Sequence, residues 1–194
     1  MSKKPEQSAS IRLLAVLLFT LTLAACSSAP PDGLSVVDNF DINRYTGRWY
    51  EIARLDHRFE RGLSNVTAEY ELQEDNSVSV LNRGYNNDEQ QWDEADGRAK
   101  FVGDPSQGSL KVSFFGPFYG GYHIIALDQD DGRNHEQDSY QWAMISGPSR
   151  DYLWILAREP VLDSTVYDAL IKQAGDSGFA IEDLIEVDQS RNLP

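Results

Sequence analysis

The side chains able to do acid–base, metal or nucleophilic chemistry are few and scattered. His57, His123 and His135 fall on separate segments, and no pair has the spacing of a metal site. No Gly-x-Ser-x-Gly run presents a nucleophilic serine. Asp128-Gln129-Asp130-Asp131-Gly132 is acidic and turn-like but lacks the ligand pattern of a calcium loop. Glu51, beside Tyr50 in an apolar run, is the single hint of a titratable group within a core. The expected catalytic, metal and cofactor inventory is therefore none. What the chain offers instead is apolar and aromatic side chains at period two: Val66, Ala68 and Tyr70; Leu110, Val112 and Phe114; Tyr140, Trp142 and Met144; Tyr152, Trp154 and Leu156. Alternate residues of a strand share one face. Such stripes suit either a filled core or the wall of a pocket for an apolar molecule.

The elements that must carry these stripes are short and regularly spaced. Strands are expected over 47–56, 66–72, 77–85, 92–102, 109–115, 119–128, 140–146 and 151–158, separated by turn signals such as Glu74-Asp75-Asn76, Gly103-Asp104-Pro105, Gly116-Pro117 and Gly147-Pro148. One helix follows Pro160, capped by Asp163 or Ser164. Its apolar stripe is Val166, Tyr167, Leu170, Ile171 and Ala174, and Gly175 is the expected stop. The stripe should pack on the outside of the sheet. A last short strand is expected over 180–187. Eight antiparallel strands fit a sandwich or a closed barrel, and the pattern alone does not choose.

The N-terminus reads as an address. Lys3, Lys4 and Arg12 precede an apolar run from Leu13 to Ala25, too short to span a bilayer. The run ends Leu23-Ala24-Ala25-Cys26, which resembles a bacterial lipobox, whose cysteine becomes the acylated first residue. Cys26 is the only cysteine, so acylation would also account for an unpaired thiol. The expected organisation is a signal peptide over 1–25, a lipidated tether over 26–34 and one domain over 35–194. Ser27, where an Asp would resemble an inner-membrane retention signal, points to the outer membrane, with the domain facing the periplasm. Without residues 1–25, which carry three basic side chains and one acidic one, the formal charge goes from −14 to −16. A phosphate backbone needs Lys/Arg clusters, so nucleic acid is not an expected partner.

Gly47-Arg48-Trp49-Tyr50-Glu51, opening the first strand after Phe40-Asp41-Ile42-Asn43-Arg44-Tyr45, resembles the lipocalin signature Gly-x-Trp. Arg158 matches the arginine that packs over that Trp at the closed end of the barrel. The likeness is strongest to the bacterial outer-membrane lipocalins of the Blc type. It rests on 49–54, 56–62, the run KVSFFGPFYGGY over 111–122, and 150–156. The resemblance implies an all-β fold, an eight-stranded antiparallel up-and-down barrel with a C-terminal helix packed outside. It implies barrel closure by Gly47, Trp49 and Arg158. It also implies a fatty acid or lysophospholipid ligand, stored or transported for envelope maintenance. Some members form dimers, which places a homodimer among the expected partners beside outer-membrane lipid through Cys26.

On that fold the expected ligand-binding wall is Tyr70, Phe114, Tyr119, Tyr122, Trp142 and Trp154. Arg54, Arg83, Lys111 and His123 are the strand-borne candidates to meet a head group, and the loop from Leu55 to Gly62 should overhang the mouth. Burying about 15 methylenes yields roughly 12 kcal/mol, against about 4–15 kcal/mol for association and ordering. One-tailed lipids, which visit water appreciably, are the easier cargo. The alternative is a structural or assembly lipoprotein whose barrel is filled by its own side chains.

Overall fold

The computed structural model describes residues 28–128 and 139–191. The expected signal peptide, Cys26, His135 and the expected turn at 130–132 lie outside the described residues. The chain enters through a four-residue helix, α1 (Ile42–Tyr45), capped by Asp41, whose side chain accepts from the Asn43 N–H. Eight strands follow: β1 (Gly47–Leu55), β2 (Leu63–Leu72), β3 (Val78–Asn86), β4 (Gln91–Phe101), β5 (Ser109–Phe115), β6 (Phe118–Leu127), β7 (Trp142–Ser146) and β8 (Leu153–Ala157). Each pairs antiparallel with the next, and β1 pairs with both β2 and β8. The ladder therefore closes into a barrel, deciding between the two architectures left open by the pattern.

The helix α2 (Ser164–Asp176) starts as expected, with Asp163 Oδ1 accepting from the N–H groups of Thr165 at 2.9 Å and Val166 at 3.2 Å. It runs through Gly175. The stop comes later, where Phe179 N–H reaches back to the Ala174 carbonyl at 3.1 Å and Gly178 follows the last turn. Leu170 and Ala174 are buried with Ala53, Leu55, Met144, Leu153 and Ile155, on the outer face of β1, β7 and β8. A final strand, β9 (Leu184–Glu186), adds to the upper half of β1 beyond the reach of β2. Gln189 then ties the seam: its Nε2 donates to the carbonyls of Glu51 and Val66 at 2.8 and 2.9 Å.

Two ends follow from the connectivity. The turns β1–β2, β3–β4, β5–β6 and β7–β8 surround one end. The other end carries α1 and the remaining turns. Segment 28–34, expected as a bare tether, lies against the barrel wall. Arg150 of the β7–β8 turn donates to the Asp32 carbonyl at 2.9 Å, and Leu34 packs under α2.

Candidate ligand pocket

The lower end of the barrel is plugged. Trp49 is wholly buried, and its indole N–H donates to the Tyr45 carbonyl at 2.8 Å. The Arg158 guanidinium lies 4.0 Å over the Trp49 ring. It also donates to five carbonyls, those of Tyr140, Arg48, Arg44, Tyr45 and Thr46, at 2.8–3.2 Å. One cation thus gathers α1, the start of β1 and the chain before β7. Gly47 holds a φ of +92°, and a Cβ there would sit 3.4 Å from Arg158 Nη1. Phe40, Tyr140 and Tyr45 fill the remaining floor, with ring centroids 5.4–6.2 Å apart.

Tyr45 of the floor joins two tyrosines above it, Tyr70 and Tyr122. The Tyr122 hydroxyl lies 2.5 Å from that of Tyr45 and 2.9 Å from that of Tyr70. Burial raises the pKa of all three, so they remain neutral hydrogen-bonding groups. Higher still, the inward residues of β3 and β4 are small. Asn82 pairs with Ala95 and Val80 with Gly97. The Phe114 ring lies so close on Gly97 that a Cβ would meet it at 2.7 Å. Ala95 shares the inward face of Gly97 and Ala99 yet is exposed, and the inward Phe114, Tyr122 and Trp154 are only half-buried. The barrel is therefore solid below and open above. Asn82 Oδ1 is buried without a hydrogen-bond partner.

The wall opposite is ionic. A bulge at Ile52–Ala53 turns Glu51 and Arg54 to the same side. Arg54 Nη1 donates to Glu51 Oε1 at 2.6 Å, and Nη2 donates to the carbonyls of Glu60 and Leu63. The β1–β2 loop folds in over this pair: Glu60 Oε2 accepts from Trp154 Nε1 at 3.0 Å and lies 2.9 Å from His57 Nε2. Burial, reinforced by Glu60, pushes the Glu51 carboxyl well above its ordinary range. Burial is the largest influence on Glu60 and opposes its charge, but His57, the Trp154 N–H and Arg54 together hold this carboxyl low. The two neighbouring carboxyls are thus pushed in opposite directions, Glu51 up and Glu60 down.

Of the six residues expected to line the pocket, the structure brings together Tyr70, Phe114, Tyr122 and Trp154. Tyr119 and Trp142 are elsewhere. Tyr119 is three residues from Tyr122 and so faces outward, 5.2 Å beneath the Lys111 ammonium. Trp142 alternates with the inward Ala143 and Ile145 and packs in the cluster under α2. Of the candidate cations only Arg54 faces inward. Arg83 pairs with Glu94 at 2.6 Å on the exposed side, Lys111 covers Tyr119, and His123 is buried on the outer face, 3.1 Å from Ser109 Oγ. Glu60 was missed as a site residue because the fold of the β1–β2 loop leaves no mark in the residue pattern, and the bulge that pairs Glu51 with Arg54 leaves none either. Among the described residues no group of three or more His, Cys, Asp or Glu could hold a metal.

The family model of a lipocalin-like domain matches residues 40–189. The outer membrane lipoprotein Blc of Citrobacter freundii is 49% identical over 178 residues, covering 91% of this chain and 96% of the relative. That of Vibrio cholerae is 44% identical over 179 residues, covering 92% and 99%. Insecticyanin of the tobacco hornworm, at 22% identity, superimposes with a TM-score of 0.65 over 84% of this chain and 87% of its own, a likeness of fold. The bacterial relatives locate the chain at the outer membrane. Barrel, plug and comparisons agree that this chain belongs to the lipocalin family, whose members are binding and transport proteins for small hydrophobic ligands.

Proposed function

We propose that the upper half of the barrel binds single-chain lipids, lysophospholipid or fatty acid, and that the protein stores or transports them in envelope maintenance while acyl chains on Cys26 hold it to the outer membrane. The observation that carries this reading is the exposed, inward-facing Ala95 beside Asn82 and Gly97. Protein side chains already occupy the lower half. The filled-barrel alternative accounts for that half alone.

A single acyl chain against Phe114, Tyr122, Trp154 and the small residues of β3 and β4 loses about 0.8 kcal/mol of water contact per methylene. The polar groups at the rim suit a polar head: Asn86 Nδ2 donates to Asp93 Oδ2 at 3.0 Å on the inward side of the β3–β4 hairpin. Arg54 is already committed to Glu51 and two carbonyls. An anionic head that reached Arg54 would share that guanidinium with Glu51, its buried Nε being the donor without a partner. Delipidated protein should bind a lysophospholipid more tightly than its diacyl analogue in a displacement assay. Equal affinity, or no binding of either, would overturn the reading.

A further inference from the structure

We infer that the open end of the barrel rests on a phospholipid bilayer surface, so that the pocket mouth opens directly onto lipid. The inference deepens the carrier reading and rests on it. Six large apolar side chains are exposed among the described residues, and three cluster at this end: Phe59 at 59%, Phe115 at 73% and Phe118 at 73%. Phe59 stands on the β1–β2 loop. Phe115 and Phe118 flank the cis Gly116–Pro117 bond of the β5–β6 turn. In the strand order around the barrel these two connections face each other across the mouth. Aromatic tips on opposite sides of one opening make a footing for a flat surface.

The position of the N-terminus agrees. The first described residues lie on the outer wall on the side of β6 and the β7–β8 turn: Asp32 is held by Arg150 of that turn, and the Ala29 backbone meets the His123 ring. That ring stacks toward Gly121, where a Cβ would touch it at 2.6 Å. Three residues separate Ala29 from Cys26, about 10 Å of extended chain. Three residues likewise separate Gly121 from Phe118, about 10 Å of strand. Extended along β6, that length would suffice to bring an acylated Cys26 to the level of the phenylalanine tips. Cations accompany the rings: the Arg58 guanidinium lies 4.8 Å over Phe59, and Lys111 covers Tyr119 on the outer face of the β5–β6 hairpin. On a chain this acidic, cations at the aromatic tips suit an anionic lipid surface and can snorkel to it.

Acylation consumes the only cysteine, so Phe118→Cys supplies a unique thiol for an environment-sensitive fluorophore. Val161→Cys, which replaces an exposed residue after β8 at the opposite end, is the control. The lipoprotein is reconstituted in phosphatidylethanolamine–phosphatidylglycerol vesicles. The label at 118 should shift to the blue and be quenched by spin-labelled lipid, and the label at 161 should do neither. Phe59→Ser, Phe115→Ser and Phe118→Ser together should weaken vesicle binding of chain added from solution roughly tenfold or more. A water-exposed label at 118 on vesicles would overturn the inference. So would a blue shift that grows with protein concentration without lipid, which would make the rim a contact between two copies. Intact mass reports acylation separately, and lysolipid capture by the same preparation reports the carrier reading. Failure of either leaves the label's response to added vesicles decisive.

Discussion

Replacing Ala95 with Phe tests where a lipid chain lies. Ala95 faces inward from β4, opposite Asn82 on β3 and one inward step above Gly97 with its covering Phe114 ring. It is exposed, so a benzyl group there meets open space and disturbs no packed neighbour. The ring takes the room of about four methylenes, and at about 0.8 kcal/mol each the loss is about 3 kcal/mol, roughly a hundredfold in affinity. The assay is displacement of a fluorescent fatty acid by lysophospholipids of increasing chain length. In the parent protein each added pair of methylenes should strengthen binding by about 1.6 kcal/mol, roughly 15-fold, until the floor of tyrosines is reached. In Ala95→Phe the series should level off about four methylenes sooner, and the shortest lipids should bind nearly alike to both proteins. Thermal unfolding should change by less than about 0.5 kcal/mol, as for a surface substitution. A folded variant that binds the whole series unchanged would refute the reasoning, because the chain would then not pass over Ala95.

Three further substitutions probe the plug and the buried charges. Arg158→Ala removes five hydrogen bonds to backbone carbonyls and the stacking on Trp49. It should cost about 3 kcal/mol in urea unfolding, and a loss below about 1 kcal/mol would show that water replaces the guanidinium. Burial lowers the pKa of His123, so the unfolded chain takes up its proton first as pH falls below the ordinary value of 6.5. Stability should drop across that window, and His123→Gln should flatten the drop; an unchanged acid slope would mean that other groups cause it. Glu51 has a raised pKa, so the folded protein keeps a proton that the unfolded chain gives up as pH climbs above about 4.5, and this contribution to stability declines through the window. Glu51→Gln, which mimics the protonated acid, should match the parent near about pH 5 and exceed it near about pH 8 in chemical denaturation. A variant weaker than the parent at the higher pH would show that an ionised Glu51–Arg54 pair stabilises the fold.

Much of the fold was legible because the strand pattern and the turn chemistry agree locally. The expected 109–115 strand is β5 as found, and most other strand ends differ by one to three residues. The closure of the sheet was not legible from periodicity, since a sandwich and a barrel share the alternation. Parity explains the pocket misses. Tyr119 and Tyr122 stand an odd number of residues apart on one strand, so they cannot both face inward. The stripe from Tyr140 through Met144 crosses from irregular chain into β7, which begins only at Trp142, and the alternation does not carry across that boundary. Gly175 reads as a helix stop by type, but Ile181 packs 3.1 Å from where its Cβ would be, and the helix continues one residue further.

The barrel divides its work by height, and the division is a matter of side-chain size. Below, Trp49, Tyr45, Tyr140 and Phe40 meet one another, and a fully hydrogen-bonded arginine seals them from solvent; that half stabilises the fold and leaves nothing for a ligand. Above, the Phe114 ring covers Gly97 and Leu63 covers Gly84, but Ala95 is left exposed on the inward face. The opposite wall holds three buried titratable side chains, Glu51, Arg54 and His57, with a part-buried fourth, Glu60. Buried ion pairs of this kind are poor stabilisers, because desolvation consumes most of the Coulomb attraction. An upper half that served the fold alone would be better built from leucines. The protein instead keeps an uncovered Ala95 and a polar wall in the upper half, and on the proposed function an apolar chain would lie along the one with its polar head beside the other.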